Sequence, residues 1–138
     1  MSSRPLPGLD DPVAGPHWRA AAAGRLEMQR CEACDELRWP PAPICPECLN
    51  PGGAWSTLGG DGRVWSVATY HRAFHPGLSG ETPYRVALVE LAEGPRMVVN
   101  VRDDVRTGDA VRAEFDEVAP GVSLIRFERR SRRREEQT

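Results

Sequence analysis

The chain has 138 residues, a net charge of −2 and a pI near 5.9, with 40% apolar and 28% charged residues. That length builds one domain, or one domain with a small appended module, around a modest core. The charge balance excludes a general attraction to nucleic acid or to anionic membranes, and no apolar run approaches the ~18 residues that span a bilayer.

Residues 1–16 are rich in Pro and Gly and read as an extended arm. Arg4 has no apolar h-region behind it, so the sequence predicts a cytoplasmic protein. A short helix follows. Pro16 suits the first turn, His17-Trp18-Arg19-Ala20-Ala21-Ala22-Ala23 has strong alanine propensity, and Gly24 suits the position just past the end. Two turns are marginal alone, so Trp18 is expected to dock the helix. These residues, 1–24, form an N-terminal arm and helix.

Residues 25–60 read as a small ribbon. Arg25 to Arg30 alternates polar and apolar, a strand leading into Cys31. Leu37-Arg38-Trp39 forms the return strand, three prolines stiffen the approach to Cys45, and Trp55 to Leu58 is a third strand. Gly59-Gly60-Asp61-Gly62 reads as a flexible joint.

Over residues 61–127 the period is two. Strands are predicted at 63–71, 84–91, 97–101, 110–115 and 123–127, separated by glycine- and proline-bearing turns. Five strands at this spacing predict a small closed barrel, which removes exposed edges. The fold class is mainly β. Residues 128–138 are charged without apolar periodicity and are expected to be a disordered tail.

The four cysteines are two pairs, Cys31-x-x-Cys34 and Cys45-x-x-Cys48, ten residues apart. Structural zinc takes four thiolate or imidazole ligands in a tetrahedron, and two such pairs across a hairpin supply them. Without an export signal, metal is favoured over disulfides. A redox dithiol, two disulfides and a rubredoxin-like iron site with the same ligands are the alternatives. The residue after each pair is often glycine in such turns; here it is Asp35 and Leu49. Leu resists a left-handed backbone, so the second turn is expected to differ, with Asn50 taking that role.

Catalytic groups are scarce. If metal takes every thiol, no nucleophilic thiolate remains. Gly59-Gly60-Asp61-Gly62 lacks the Lys-Ser/Thr of a phosphate loop. His71 and His75 lie roughly 13 Å apart on an extended strand and read as surface or barrel-mouth residues.

Trp18, Ala23-Gly24-Arg25-Leu26, the two cysteine pairs, Pro40-Pro41, Gly62-x-Val64-Trp65-Ser66, Pro83-Tyr84 and Val86-Ala87-Leu88-Val89-Glu90-Leu91-x-Glu93-Gly94 resemble the zinc-ribbon/OB-fold acyl-CoA-associated family, long catalogued as a domain of unknown function. The likeness runs from Gly15 to Phe127. It implies a helix, a rubredoxin-like zinc ribbon and a five-stranded OB-fold barrel.

The resemblance also implies a non-catalytic accessory subunit. Its partner would be a thiolase-like enzyme or aldolase, such as one of steroid side-chain degradation, or a MaoC-type hydratase. The chain would join a hetero-oligomer around a dimeric partner and help bind or channel acyl-CoA. Trp18, Trp65, Tyr70, Arg72, Phe74, Tyr84 and Arg85 are the candidate contacts to partner or acyl-CoA, with guanidinium groups suited to phosphates. A single-stranded nucleic-acid-binding module is the alternative. Residues 126–138 carry six arginines against three glutamates, leaving the rest of the chain at about −5, which opposes a phosphate track.

Overall fold

The computed structural model describes residues 6–72 and 83–130. One helix, α1 (Gly15–Ala22), precedes eight strands: β1 (Leu26–Cys31), β2 (Leu37–Arg38), β3 (Gly53–Leu58), β4 (Asp61–Tyr70), β5 (Tyr84–Leu91), β6 (Arg96–Val101), β7 (Ala110–Ala119) and β8 (Val122–Arg129). The first three form a sheet in the order β2-β1-β3, and the other five close a barrel in the order β4-β5-β6-β8-β7. The mainly β class, the ribbon and the five-stranded barrel match the expectation from sequence.

The described part of the N-terminal arm is turned rather than extended. Asp11 Oδ1 accepts from the amides of Val13 and Ala14, both at 2.8 Å. Those donors, Ala14 first, pull the Asp11 carboxyl below its ordinary range. Gly15 N–H donates to the Asp11 carbonyl. A Cβ on Gly15 would come within 2.6 Å of the Leu9 carbonyl oxygen, so glycine is needed there. The C-terminus of α1 follows expectation. Gly24 has φ 80°, its amide donates to Ala21, and the Arg25 amide reaches back to Ala20.

Helix, ribbon and barrel share one core. Ala21 of α1, Leu26 and Met28 of β1, and Val64, Val89, Val111 and Phe127 of the barrel belong to a single buried cluster. Each large side chain buried there contributes about 1.5–3 kcal/mol. The 59–62 segment is pinned rather than loose. Gly60 is buried, its carbonyl accepts from Ala113 N–H at 2.7 Å, and the Asp61 carbonyl accepts from Ala92. At Gly62 a Cβ would meet the Glu90 carbonyl at 2.8 Å, so the glycine permits β4 and β5 to close.

The last two strands run further than predicted, because β7 and β8 continue as a hairpin to Ala119 and Val122. β4 ends at Tyr70, leaving His71 exposed beyond it. His75, Phe74 and most of the charged tail lie outside the described residues. Among the described residues, no helix is long and apolar enough to cross a membrane.

Candidate metal centre and partner face

β1 ends at Cys31, and β3 begins at Gly53 directly opposite it. The two cysteine turns therefore leave the same end of the ribbon. Asp35 N–H donates to the Cys31 carbonyl at 3.0 Å, and Leu49 N–H donates to the Cys45 carbonyl at 2.9 Å. These matching bonds close matching turns. Asp35 has φ 67° and Leu49 φ 65°, so the expectation of a different second turn is wrong. Leu49 accepts a left-handed backbone that costs an L-residue about 1–2 kcal/mol.

The turns bring Cys31 Sγ to 3.5 Å from Cys48 Sγ and Cys34 Sγ to 3.6 Å from Cys45 Sγ. All four sulfurs lie within 4.8 Å of one another. A disulfide would need about 2.05 Å, so these are free thiols. A regular tetrahedron with zinc–sulfur bonds of about 2.3 Å has edges near ~3.8 Å, and the cluster fits it. The amides of Ala33 and Cys34 point at Cys31 Sγ, at 3.4 and 3.5 Å.

Electrostatics support the same assignment. The Cys34 amide, with help from the Ala33 amide and the neighbouring thiols, draws Cys31 down to about 6. At Cys34 the Glu36 amide pulls downward, but burial and the other three sulfurs push the thiol up to about 12. Cys45 is lowered, chiefly by the Cys48 amide. Cys48 is raised, since the Cys31 thiol and burial outweigh the Asn50 amide. Four thiols this close cannot all ionise unaided, and a divalent cation at their centre removes the conflict. The donor set is a metal-binding one, and iron accepts the same geometry.

Arg38 was not foreseen as a special residue. It is 2% exposed, and its guanidinium donates to the carbonyls of Ala42 at 2.8 Å and Gly52 at 3.1 Å. It thus ties β2 to both arms of the second turn. His17 is likewise buried between Trp18 and Trp39. Its Nδ1 donates to the Glu27 carbonyl at 2.8 Å, and burial holds its pKa below the ordinary value.

The candidate contact residues separate into groups. Trp18 packs against the core. Arg85 turns its guanidinium to the carbonyls of Asp103 and Val105. Arg72 is exposed just past β4, and Phe74 is outside the described residues. Trp65, Tyr70 and Tyr84 share the outer face of β4 and β5. Tyr70 and Tyr84 pair across the strands with rings stacked at 5.2 Å. Trp65 sits at a register shift between Val64 and Ser66 and is 51% exposed.

Glu90 and Arg96, which are partners in the β5–β6 ladder, fix that Trp65 ring. Its Nε1 donates to Glu90 Oε2 at 2.8 Å, and the Arg96 guanidinium lies 4.0 Å above the ring centre. Sequence reading missed both residues. Alternation places Glu90 and Arg96 outward, but the bulge that swings Trp65 over them leaves no signal.

Comparison with known proteins follows the same division. The ChsH2 rubredoxin-like zinc ribbon domain matches residues 18–52, and the ChsH2 C-terminal OB-fold domain matches residues 55–116. A probable enoyl-CoA hydratase alpha subunit of Thermomonospora curvata is 40% identical over 131 residues, which is 90% of this chain and 39% of that protein. The chain thus spans about two-fifths of that relative. A DUF35 domain-containing scaffold protein of Methanothermobacter thermautotrophicus is 31% identical over 98 residues, 67% of this chain and 73% of the relative. A solved chain of the Ltp2-ChsH2(DUF35) aldolase superposes with a TM-score of 0.75 at 35% identity, covering 91% of this chain and 98% of that one. With both domain types matched in order and the whole length of a solved relative overlaid, the chain belongs to the ChsH2-type DUF35 family of zinc-ribbon/OB-fold proteins.

Proposed function

We propose that this chain is an accessory subunit, without catalytic groups of its own, of a cytoplasmic thiolase-superfamily enzyme. Such an enzyme would be a thiolase or a thiolase-like aldolase, for example one of steroid side-chain degradation. The chain helps that enzyme, or a MaoC-type hydratase working with it, to bind or channel acyl-CoA. Zinc held by Cys31, Cys34, Cys45 and Cys48 keeps the ribbon in shape.

The observation that carries this reading is the division of the barrel exterior. On β7 and β8 the surface is ion-paired: Glu114 meets Arg102 at 2.7 Å and Arg126 at 3.1 Å, and Arg126 also meets Asp116 at 2.9 Å. The outer face of β4, β5 and β6 gathers Trp65, Tyr70, Tyr84, Val86, Leu88 and Val98, beside the Glu90–Arg96 pair at 3.7 Å that holds the Trp65 ring, and Val98 is 69% exposed. Contiguous apolar surface of this kind marks a protein interface. The similarity to the aldolase chain supports an enzyme of that kind as the partner.

The test is co-expression with thiolase-like proteins encoded in the same genome. The wild-type chain should elute with one of them as a hetero-oligomer. Val98→Asp should abolish the association while the zinc content and melting temperature stay unchanged. A monodisperse chain indifferent to every such protein would refute the proposal.

A further inference from the structure

The second cysteine turn carries a side chain that its backbone does not call for. Leu49, at φ 65°, occupies a backbone region where glycine is at ease and a β-carbon is not. Asp35, at the matching place in the first turn, belongs to a residue type that visits this region more readily. Leu49 is also 75% exposed, the most exposed of the large apolar side chains among the described residues. At that exposure, packing among the described residues does little to offset its strain. Ile44, 48% exposed, precedes Cys45, whose amide donates to the Asn50 carbonyl next to Leu49. The turn therefore presents two aliphatic side chains to solvent. The hydrogen-bonded turn imposes the left-handed backbone but does not call for leucine, and an exposed leucine kept at a strained position points to a use outside the fold.

The surroundings define the chemistry of what would cover these side chains. Between residues 31 and 52 the charged side chains are Glu32, Asp35, Glu36, Arg38 and Glu47. The four acids are exposed, whereas Arg38, the one cation, is buried. Four thiolates around a divalent metal add two more negative charges. Arg30, near the end of β1, pairs with Asp35 at 3.8 Å, and Glu32, Glu36 and Glu47 leave the exposed charge of the two turns predominantly negative. A cleft of about 350 Å³ joins the first cysteine turn to the barrel, lined by Arg30, Asp35, Glu36 and Leu37 on one side and Glu93 to Pro95 on the other. Pro95 immediately precedes Arg96, which stacks on Trp65. The cleft therefore runs from the first cysteine turn to the segment that leads into Arg96.

We propose that Leu49 and Ile44 form a docking anchor that enters an apolar pocket rimmed by arginine or lysine on the thiolase-like partner subunit. This rests on the accessory-subunit reading and adds a second contact at the ribbon tip. Apolar anchors ringed by charge are a common interface design, the anchor setting the off-rate and the charges the on-rate.

Leu49→Gly separates an anchor from a structural residue, because glycine suits the backbone at this position. The zinc-loaded, full-length variant should melt at or above the wild-type temperature and bind the partner subunit at least about tenfold more weakly. Ile44→Ser should also weaken binding without loss of zinc. Glu32→Gln, Glu36→Gln and Glu47→Gln together should slow association and flatten its dependence on salt. Leu49→Gly binding as tightly as the wild type overturns the anchor, and so does a lower melting temperature for that variant. An unchanged salt dependence in the triple variant overturns the basic rim. If the wild-type chain binds no thiolase-like subunit at all, the accessory reading fails and this proposal fails with it.

Discussion

Removal of the metal should melt the ribbon tip and leave the base of the ribbon in place. The base is held by Leu26 and Met28, which are 2% and 0% exposed, and together they contribute about 3–6 kcal/mol. Between residues 31 and 52 the tip buries only Cys31, Arg38 and Cys45 below one-tenth exposure. Structural zinc supplies on the order of 10 kcal/mol at neutral pH, more than any contact in the tip. Cys45→Ser deletes one of the four ligands and the partner of Cys34 Sγ. Hydrogen exchange followed by mass spectrometry, with metal content measured in parallel, reads the result. The amides of Asp35 and Leu49, bonded to the Cys31 and Cys45 carbonyls, should lose protection in the variant or after chelation. Amides of β5 to β8 should keep theirs. Freshly purified, unchelated protein without metal, or identical exchange before and after chelation, would refute the reasoning.

Two further outcomes test the shared core. Phe127 is 0% exposed on β8, and Phe127→Ala should cost about 3–5 kcal/mol. For a chain of this size that is a fall of about 10–15 °C in melting temperature; a fall under about 3 °C would contradict the single core. His17 has a folded pKa below its unfolded value of about 6.5 because burial disfavours its charge. The unfolded chain then binds the extra proton, so this contribution is present above about pH 6.5 and is lost as pH falls below it. His17→Asn should flatten that decline by up to about 1.4 kcal/mol per pH unit, measured by denaturant unfolding at pH 7.5, 6.5 and 5.5. Equal slopes for variant and wild type would show that His17 is not the titrating group.

Most of the architecture was legible because it rests on local rules. Two Cys-x-x-Cys pairs ten residues apart carry their own geometry, since a metal tetrahedron tolerates few arrangements. Gly24 ended the helix as its conformational freedom suggests, and the period-two runs became barrel strands. What was missed depends on contacts distant in sequence. Trp65 reaches Glu90 and Arg96 only because β4 bulges beside β5. Arg38 and His17 look like ordinary polar residues until the carbonyls they donate to arrive from Ala42, Gly52 and Glu27. Arg85 was offered to phosphates, yet the loop after β6 takes its guanidinium. Leu49 failed in another way. Propensity argued against a left-handed leucine, and the hydrogen-bonded turn imposed one.

The pinned segment at Gly60 and Asp61 bears on movement. With Ala113 and Ala92 bonded to it, and with Leu26 and Phe127 in one cluster, the ribbon and barrel have no hinge between them. The spacing between the Leu49 tip and the Trp65 face is therefore fixed like the jaws of a caliper. Under the proposed docking, a partner has to present two complementary sites at that one span, so geometry as well as chemistry would select it. An insertion at Gly59 that lengthens the span should weaken two-point binding even if every contact residue is kept.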